Sequence, residues 1–417
     1  MLFLGFSAGL PFPLVFATLS AWLATAGISR SSIGMFAWIG MAYALKFLWA
    51  PLVDRLPLPG LTGWLGRRRS WMLVAQAGVI LALLMLAAAD PATGLRQVAL
   101  LSLAVACCSA TQDIAIDAWR IEAVDPQLQG AMAASYQFGY RLAMLAAGAG
   151  ALLIADHASW AAAYRGMAVL MLVGVATVFV IAEPAPAGVA AGVAQAGPHG
   201  GLVRLRQWFA SAVLGPFADF FRRSGVFGLL LLGFIACYRI SDQVLGVMAN
   251  PFYIDIGFSL SQIAAVAKVF GFAMTLVGAA MGGVVVARWG AVRPLAAGAL
   301  LAAATNLLFA LLAWHHAADV RLLMLTISAD NLAAGFAGTV FIAYLSSLTS
   351  VSYTATQYAL FSALMSVLGS FIGGFSGVVA EAVDWVNFFL YTTAMGLPAI
   401  MLSLVVARRA RAEQGSR

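Results

Sequence analysis

The sequence predicts an all-α polytopic membrane protein. Of its 417 residues 63% are hydrophobic and only 9% are charged, the mean hydropathy is +0.95, and the apolar residues fall into runs of about 20. A soluble chain of this size lacks the polar surface needed to cover so much apolar material. The runs are also too long and too uniform for barrel strands, which alternate in character over about 10 residues.

Twelve windows can be placed, near 4–26, 32–53, 70–89, 97–119, 128–155, 160–182, 226–251, 259–287, 291–314, 321–346, 355–380 and 385–407. The first lacks a basic leader and a cleavage signal, so it reads as a retained helix behind a shortened cytosolic leader. Gly9-Leu-Pro-Phe-Pro13 interrupts it, because proline removes backbone donors and breaks or kinks a helix. The three cysteines, Cys107, Cys108 and Cys237, all lie in apolar runs and read as small hydrophobes, not as a disulfide framework or a metal site.

Arginine placement orients the chain. With the amino terminus inside, the inner loops and tail hold fifteen basic residues: Arg55, Arg67, Arg68, Arg69, Arg120, Arg204, Arg206, Arg222, Arg223, Arg288, Arg293, Arg408, Arg409, Arg411 and Arg417. The outer loops hold four: Arg30, Arg96, Arg165 and Arg321. That asymmetry places both termini in the cytoplasm. The net charge of +7 therefore reports topology and contact with anionic lipid, and no nucleic-acid partner is implied.

The long segment 183–224 divides the windows into a bundle over 1–182 and a bundle over 225–417, six helices each. Its first part is Ala/Gly/Pro-rich, a flexible linker. Its second part, 202–223, sets Arg204, Arg206, Arg222 and Arg223 around Trp208, Phe209, Phe217, Phe220 and Phe221, which suits a helix lying in the membrane interface. The halves echo one another. Gly27-Ile-Ser-Arg-Ser-Ser-Ile precedes the second window and Gly257-Phe-Ser-Leu-Ser-Gln-Ile the eighth, while Gln129-Gly-Ala-Met-Ala-Ala at the fifth matches Gln357-Tyr-Ala-Leu-Phe-Ser at the eleventh. Parallel six-helix repeats describe the major facilitator fold, whose substrate site lies between its halves.

Chemistry is carried by charges inside the windows, which are costly in hydrocarbon and mark partners or water-filled cavities. The cations are Lys46, Arg141, Arg239 and Lys268; the acids are Asp113, Asp117, Asp242 and Asp330. Structural ion pairs between helices are the alternative reading for each. A cationic cavity suits an anionic solute, so the expected substrate-binding residues are Arg141, Gln137, Tyr140, Arg239, Lys268, Lys46 and the aromatic Trp22. Asp113, Asp242 and Asp330 are the candidates for proton coupling, with no means in the sequence of choosing among them. Asp113, Asp117 and Arg120 share a helix face at i, i+4 and i+7. Asp117 and Arg120, with Asp54, Arg55 and the Arg67–Arg69 run, are expected to form an inner gate. Most glycines, such as Gly278, Gly282 and Gly373, should simply let helices approach closely. HExxH and Walker signatures are lacking, and the one G-x-S-x-G match, Gly5-Phe-Ser-Ala-Gly9, lies inside the first apolar window, so no enzyme, cofactor or metal is expected.

Asp54-Arg55 followed by Gly66-Arg67-Arg68 resembles the major facilitator loop motif, with about ten residues inserted and Ala50 where a glycine is usual. A larger set resembles the AmpG-type muropeptide permeases: Gly5-Phe-Ser-Ala-Gly-Leu-Pro11, Lys46-Phe-Leu-Trp-Ala-Pro-Leu-Val-Asp-Arg55, Gly66-Arg-Arg-Arg-Ser-Trp71, Ser109-Ala-Thr-Gln-Asp-Ile-Ala-Ile-Asp-Ala-Trp-Arg120, Gly139-Tyr-Arg-Leu142 and Ala355-Thr-Gln-Tyr-Ala-Leu-Phe-Ser-Ala-Leu364. The family's acidic-Asn pair corresponds to Asp330-Asn331. The resemblance implies a proton-driven importer of anhydromuropeptides in the bacterial inner membrane, serving cell-wall recycling; a monomer is expected. The acetyl-CoA transporters share the Gln-Asp-Ile-Ala…Asp-x-Trp signature, so another anionic solute, acetyl-CoA or a peptide, is the alternative. Gly139-Tyr-Arg-Leu and the Arg-Arg-Arg-Ser-Trp loop favour the muropeptide branch.

Overall fold

The computed structural model describes residues 1–123, 129–184, 215–348 and 354–415, and every regular element among them is helical. Among the described residues eleven helices are long and apolar enough to cross a membrane. They are α1 (Leu2–Thr25), α3 (Arg67–Ala87), α4 (Pro91–Arg120), α5 (Ser135–His157), α6 (Trp160–Val180), α7 (Phe227–Ile256), α8 (Leu260–Trp289), α9 (Leu295–Trp314), α10 (Val320–Leu345), α11 (Leu364–Ala382) and α12 (Trp385–Arg409). The expected second window is the segment 30–55, here α2. It is helical in five short pieces, Arg30–Met35, Phe36–Ile39, Gly40–Ala44, Lys46–Leu48 and Ala50–Arg55, two of them 3₁₀ turns. Pro51 lacks a donor and 3₁₀ turns bond one residue closer, so no single piece reaches spanning length.

Other breaks have local causes. α1 is divided at Leu10 and Phe16, on either side of the Pro11–Val15 piece, as its prolines require. α7 is divided between Cys237 and Ile240, which leaves Tyr238 and Arg239 at the junction of two helical pieces. α5 contains a π-helical turn over Ala146–Gly150 and α8 one over Ile263–Phe270. Such turns insert an extra residue per bond and recur at functional positions.

All six even-numbered helices begin with a side-chain cap that takes up orphan backbone donors. Ser29, Asp90, Ser159, Ser259 and Asp384 cap α2, α4, α6, α8 and α12, and Asp319 accepts from the Arg321 N–H at 2.8 Å ahead of α10. The chain clusters into two compact units, one made of 1–189 with 247–269 and 374–381, the other of 190–246 with 270–373 and 382–417. The first unit is packed around Leu4, Met72, Ile116, Trp119 and Val178. Its α1 and α5 meet backbone to backbone: a Cβ on Gly139 would lie 1.9 Å from the Leu2 carbonyl oxygen. The second unit is packed around Phe234, Tyr238 and Phe341, with the last two rings stacked at 4.2 Å.

The expected linker and Arg204, Arg206, Trp208 and Phe209 lie outside the described residues. The end of the expected interfacial helix is described as Gly215–Ser224. Phe220 there is buried against Phe361, ring centroids 5.2 Å apart, so this end is docked onto its own unit.

Candidate functional site

Each unit holds a charged pair inside its apolar packing. In the first, Lys46 on α2 reaches Asp113 on α4 at 3.8 Å. The Trp49 indole donates to Thr111 at 3.1 Å, which fixes α2 to α4 beside this pair. Tyr136 and Tyr140 on α5 face Asp113, their rings 6.1 Å apart. In the second unit, Arg239, at the break in α7, lies 3.7 Å from Asp242 in the first turn of the following piece. Asp330 on α10 accepts from Thr305 at 3.5 Å. Asn306 donates to Ser241 at 2.8 Å and to Thr392 at 3.1 Å, tying α7, α9 and α12 together beside it.

The two ion pairs share a polarity. Side-chain exposure is 36% for Lys46 against 14% for Asp113, and 36% for Arg239 against 17% for Asp242. The accessible charge is positive in both, and the carboxylate sits behind it.

Lys268 is held elsewhere in the first unit. It lies in the π-helical turn of α8 and donates to Asn250 at 3.1 Å, and Asn250 in turn donates to the Ala17 carbonyl, at the second break in α1. Its aliphatic stem runs over Gly148, in the π-helical turn of α5. Arg141 and Gln137 are exposed on α5 and form no ion pair or hydrogen bond among the described residues. Trp22 belongs to another group: it is 6% exposed, with its ring 6.2 Å from Trp160 and 5.0 Å from Tyr164.

Asp117 lies 3.6 Å from Arg120 on its own helix. The arginine run is met by two glutamates not singled out from the sequence. Arg68, 5% exposed, donates to both oxygens of Glu122 at 3.1 and 2.7 Å. Glu183 accepts the backbone N–H groups of Arg68 and Arg69 at 2.7 and 3.1 Å, which caps α3. A carboxylate suits this helix start. The side chains of Asp54 and Arg55 lie outside the described residues.

Sequence reasoning also missed Asn250, Thr305 and Asn306. Uncharged polar residues carry no signal in a sequence until their neighbours are known. Among the described residues no three His, Cys, Asp or Glu side chains are grouped to hold a metal ion.

An all-helical chain with paired charges inside its spans has the build of a multi-span membrane transporter. Solved structures agree on the fold. The nucleoside transporter NupG superposes with a TM-score of 0.69 at 16% identity, covering 97% of each chain, and a D-xylose-proton symporter with 0.67 at 14%, covering 97% of this chain and 94% of the other. The sequence profile described as acetyl-coenzyme A transporter 1 matches residues 1–147. The anhydromuropeptide permease of Escherichia coli (strain K12) is 34% identical over 409 residues, 97% of this chain and 78% of that protein. The putative transporter AmpG 4 of Rickettsia conorii is 33% identical over 401 residues, 96% and 94% of the two chains. The chain belongs to the AmpG family of transporters, of major facilitator fold.

Proposed function

We propose that the chain imports anhydromuropeptides across the bacterial cytoplasmic membrane by alternating access, driven by proton symport, as a monomer with both termini in the cytoplasm. The substrate is supported by the likeness to the Escherichia coli permease over 97% of this chain. The orientation is supported by the fifteen basic residues of the inner loops against four outside. An anhydromuropeptide is an aminosugar carrying a peptide with carboxylates. Lys46, Arg239 and the exposed Arg141 offer it positive charge, and Arg presents a planar fork to a carboxylate.

The observation that carries the mechanism is the shared polarity of the two ion pairs. A solute carboxylate arriving at Lys46 or Arg239 competes with Asp113 or Asp242 for its cation. A buried carboxylate that loses its partner avoids an unpaired charge by taking up a proton. Solute and proton are thereby loaded together, and release of one recharges the pair against the other. Asp330, hydrogen-bonded to Thr305, is the third acid available for this role.

The test is uptake of labelled anhydromuropeptide into vesicles from cells lacking their own muropeptide permease, with and without a proton gradient. Uptake indifferent to the gradient removes the symport, and no uptake removes the substrate. A second reading, transport of acetyl-CoA, is favoured by the match of residues 1–147 to the acetyl-coenzyme A transporter profile. Competition of the labelled uptake by acetyl-CoA distinguishes the two.

A further inference from the structure

Most buried hydroxyls among the described residues find a backbone carbonyl. Thr18 donates to Ala147 at 2.9 Å, Ser241 to Thr392 at 2.8 Å, and Tyr164 to Leu14 at 2.9 Å. Three atoms around the Lys46–Asp113 pair break this pattern. The Tyr43 hydroxyl, the Ser109 hydroxyl and the Asp113 Oδ1 are all buried; the two hydroxyls face each other, but none of the three atoms meets a partner at full hydrogen-bond geometry among the described residues. They also converge. The α2 piece Gly40–Ala44, which carries Tyr43, packs on α4, and Tyr43 faces both Ser109 and Asp113 there. Ser109 and Asp113 are i and i+4 on one helix face, and Ser109 is fully buried. The ring of Tyr43 is held by Phe12 at 5.6 Å and Phe16 at 6.1 Å, which fixes where its hydroxyl points.

Buried polar atoms without partners are costly, and three converging ones match the two to four partners that an ordered water takes. The adjacent ammonium of Lys46 argues against a metal cation in the same place. We propose that Tyr43 and Ser109 hold a water molecule against Asp113 Oδ1, and that Tyr43 is a positioning residue for proton transfer to and from this carboxylate. The proposal rests on the symport reading above and deepens it by selecting Asp113 among the three acids. The charged and titratable groups facing Asp113 are Lys46 and Tyr43 from α2, Asp117 from its own helix, and Tyr136 and Tyr140 from α5, with Arg120 and Arg141 flanking those tyrosines. Tyr43 and Ser109 are the neighbours whose buried hydroxyls lack a partner at full hydrogen-bond geometry. The Oδ2 side is taken by Lys46.

The experiment uses the full chain in proteoliposomes and compares wild type with Tyr43→Phe, Ser109→Ala and Ser109→Thr. Gradient-driven uptake of labelled anhydromuropeptide is measured beside gradient-free exchange of the same solute. Tyr43→Phe is expected to lower gradient-driven uptake at least tenfold and displace its pH profile, with exchange kept within about twofold. Ser109→Ala should follow it and Ser109→Thr should restore function. Wild-type behaviour in both Tyr43→Phe and Ser109→Ala overturns the proposal, as does equal loss of exchange and driven uptake. An infrared readout makes the result independent of the solute. The carbonyl band of protonated Asp113, assigned by its absence in Asp113→Asn, should move to higher frequency in Tyr43→Phe. An unmoved band overturns the water site even if the chain proves to carry another solute, whereas failure of wild type to take up muropeptide tells only against the substrate.

Discussion

Ser31, in the first turn of α2, gives both its backbone N–H, at 3.1 Å, and its hydroxyl to one carboxylate oxygen of Glu381 at the end of α11. Ser261, in the first turn of α8, does the same to Asp156 at the end of α5, with its N–H at 3.3 Å. These two serines occupy matching places in the echoed segments Gly27–Ile33 and Gly257–Ile263. The echo is thus more than a trace of duplication: each copy starts a helix with a cap, Ser29 or Ser259, and two residues later presents a serine to a carboxylate from another span. Arg30 adds an ion pair to Asp255 at 2.6 Å and donates to the Ala380 carbonyl at 2.8 Å. A carboxylate at a helix start stabilises it by about 0.3–1 kcal/mol, so each contact is weak enough to part and re-form.

If these contacts part during each transport cycle, tying one of them shut stops the cycle. A cysteine pair at Ser31 and Glu381 should cross-link under oxidation and cut solute uptake below about a tenth, with recovery on reduction. Full uptake by the cross-linked protein means that this contact stays made throughout.

The pair Lys46–Asp113 predicts a separation of stability from function. Removing Lys46 leaves a mostly buried carboxylate without its cation, whereas removing both charges does not. With Lys46 about a third exposed, Lys46→Met should cost about 1–2 kcal/mol, less than for a fully buried pair. Lys46→Met with Asp113→Asn should regain most of that, and both variants should lose gradient-driven uptake. Thermal unfolding in detergent and uptake in vesicles check the two halves. A double variant as unstable as the single one shows that Lys46 acts by packing.

Arg68 and Glu122 form the more deeply buried pair, with side-chain exposures of 7% and 18%. Two parallel N–H donors on one carboxylate cannot be reproduced by lysine. Arg68→Ala should therefore destabilise by about 3 kcal/mol, and Arg68→Lys should recover only part of this. An unchanged unfolding temperature in Arg68→Ala contradicts the pairing.

Much of the architecture was legible because a bilayer demands about 20 apolar residues per crossing, and that demand is written directly in composition. The breaks at Pro11 and Pro13 were legible for the same reason, since a missing donor is a local property. The π-helical turns at Ala146–Gly150 and Ile263–Phe270 were not: an extra residue in a uniformly apolar run leaves no pattern to shift. In the site, charge was visible but partnership was not. Lys46, Asp113, Arg239 and Asp242 stand out in any apolar window. Glu122 and Glu183, by contrast, meet Arg68 from 54 and 115 positions along the chain, where only tertiary packing decides. Asn250 is invisible until the π-helical turn of α8 brings Lys268 to it.

Arg141 gives the sharpest contrast with Arg68. It is exposed on α5 and forms no ion pair among the described residues, so its truncation strands no buried charge. Surface substitutions of this kind stay within about 0.5 kcal/mol. Its charge nevertheless lies beside Tyr140, one residue along the helix and near Asp113. If Arg141 receives a solute carboxylate, Arg141→Ala should leave thermal stability and membrane insertion unchanged while abolishing uptake. Arg141→Lys should restore little, because an ammonium cannot hold a carboxylate with two parallel bonds. Uptake by Arg141→Ala at the wild-type rate would remove this residue from the solute's path and leave Lys46 and Arg239 to carry recognition alone.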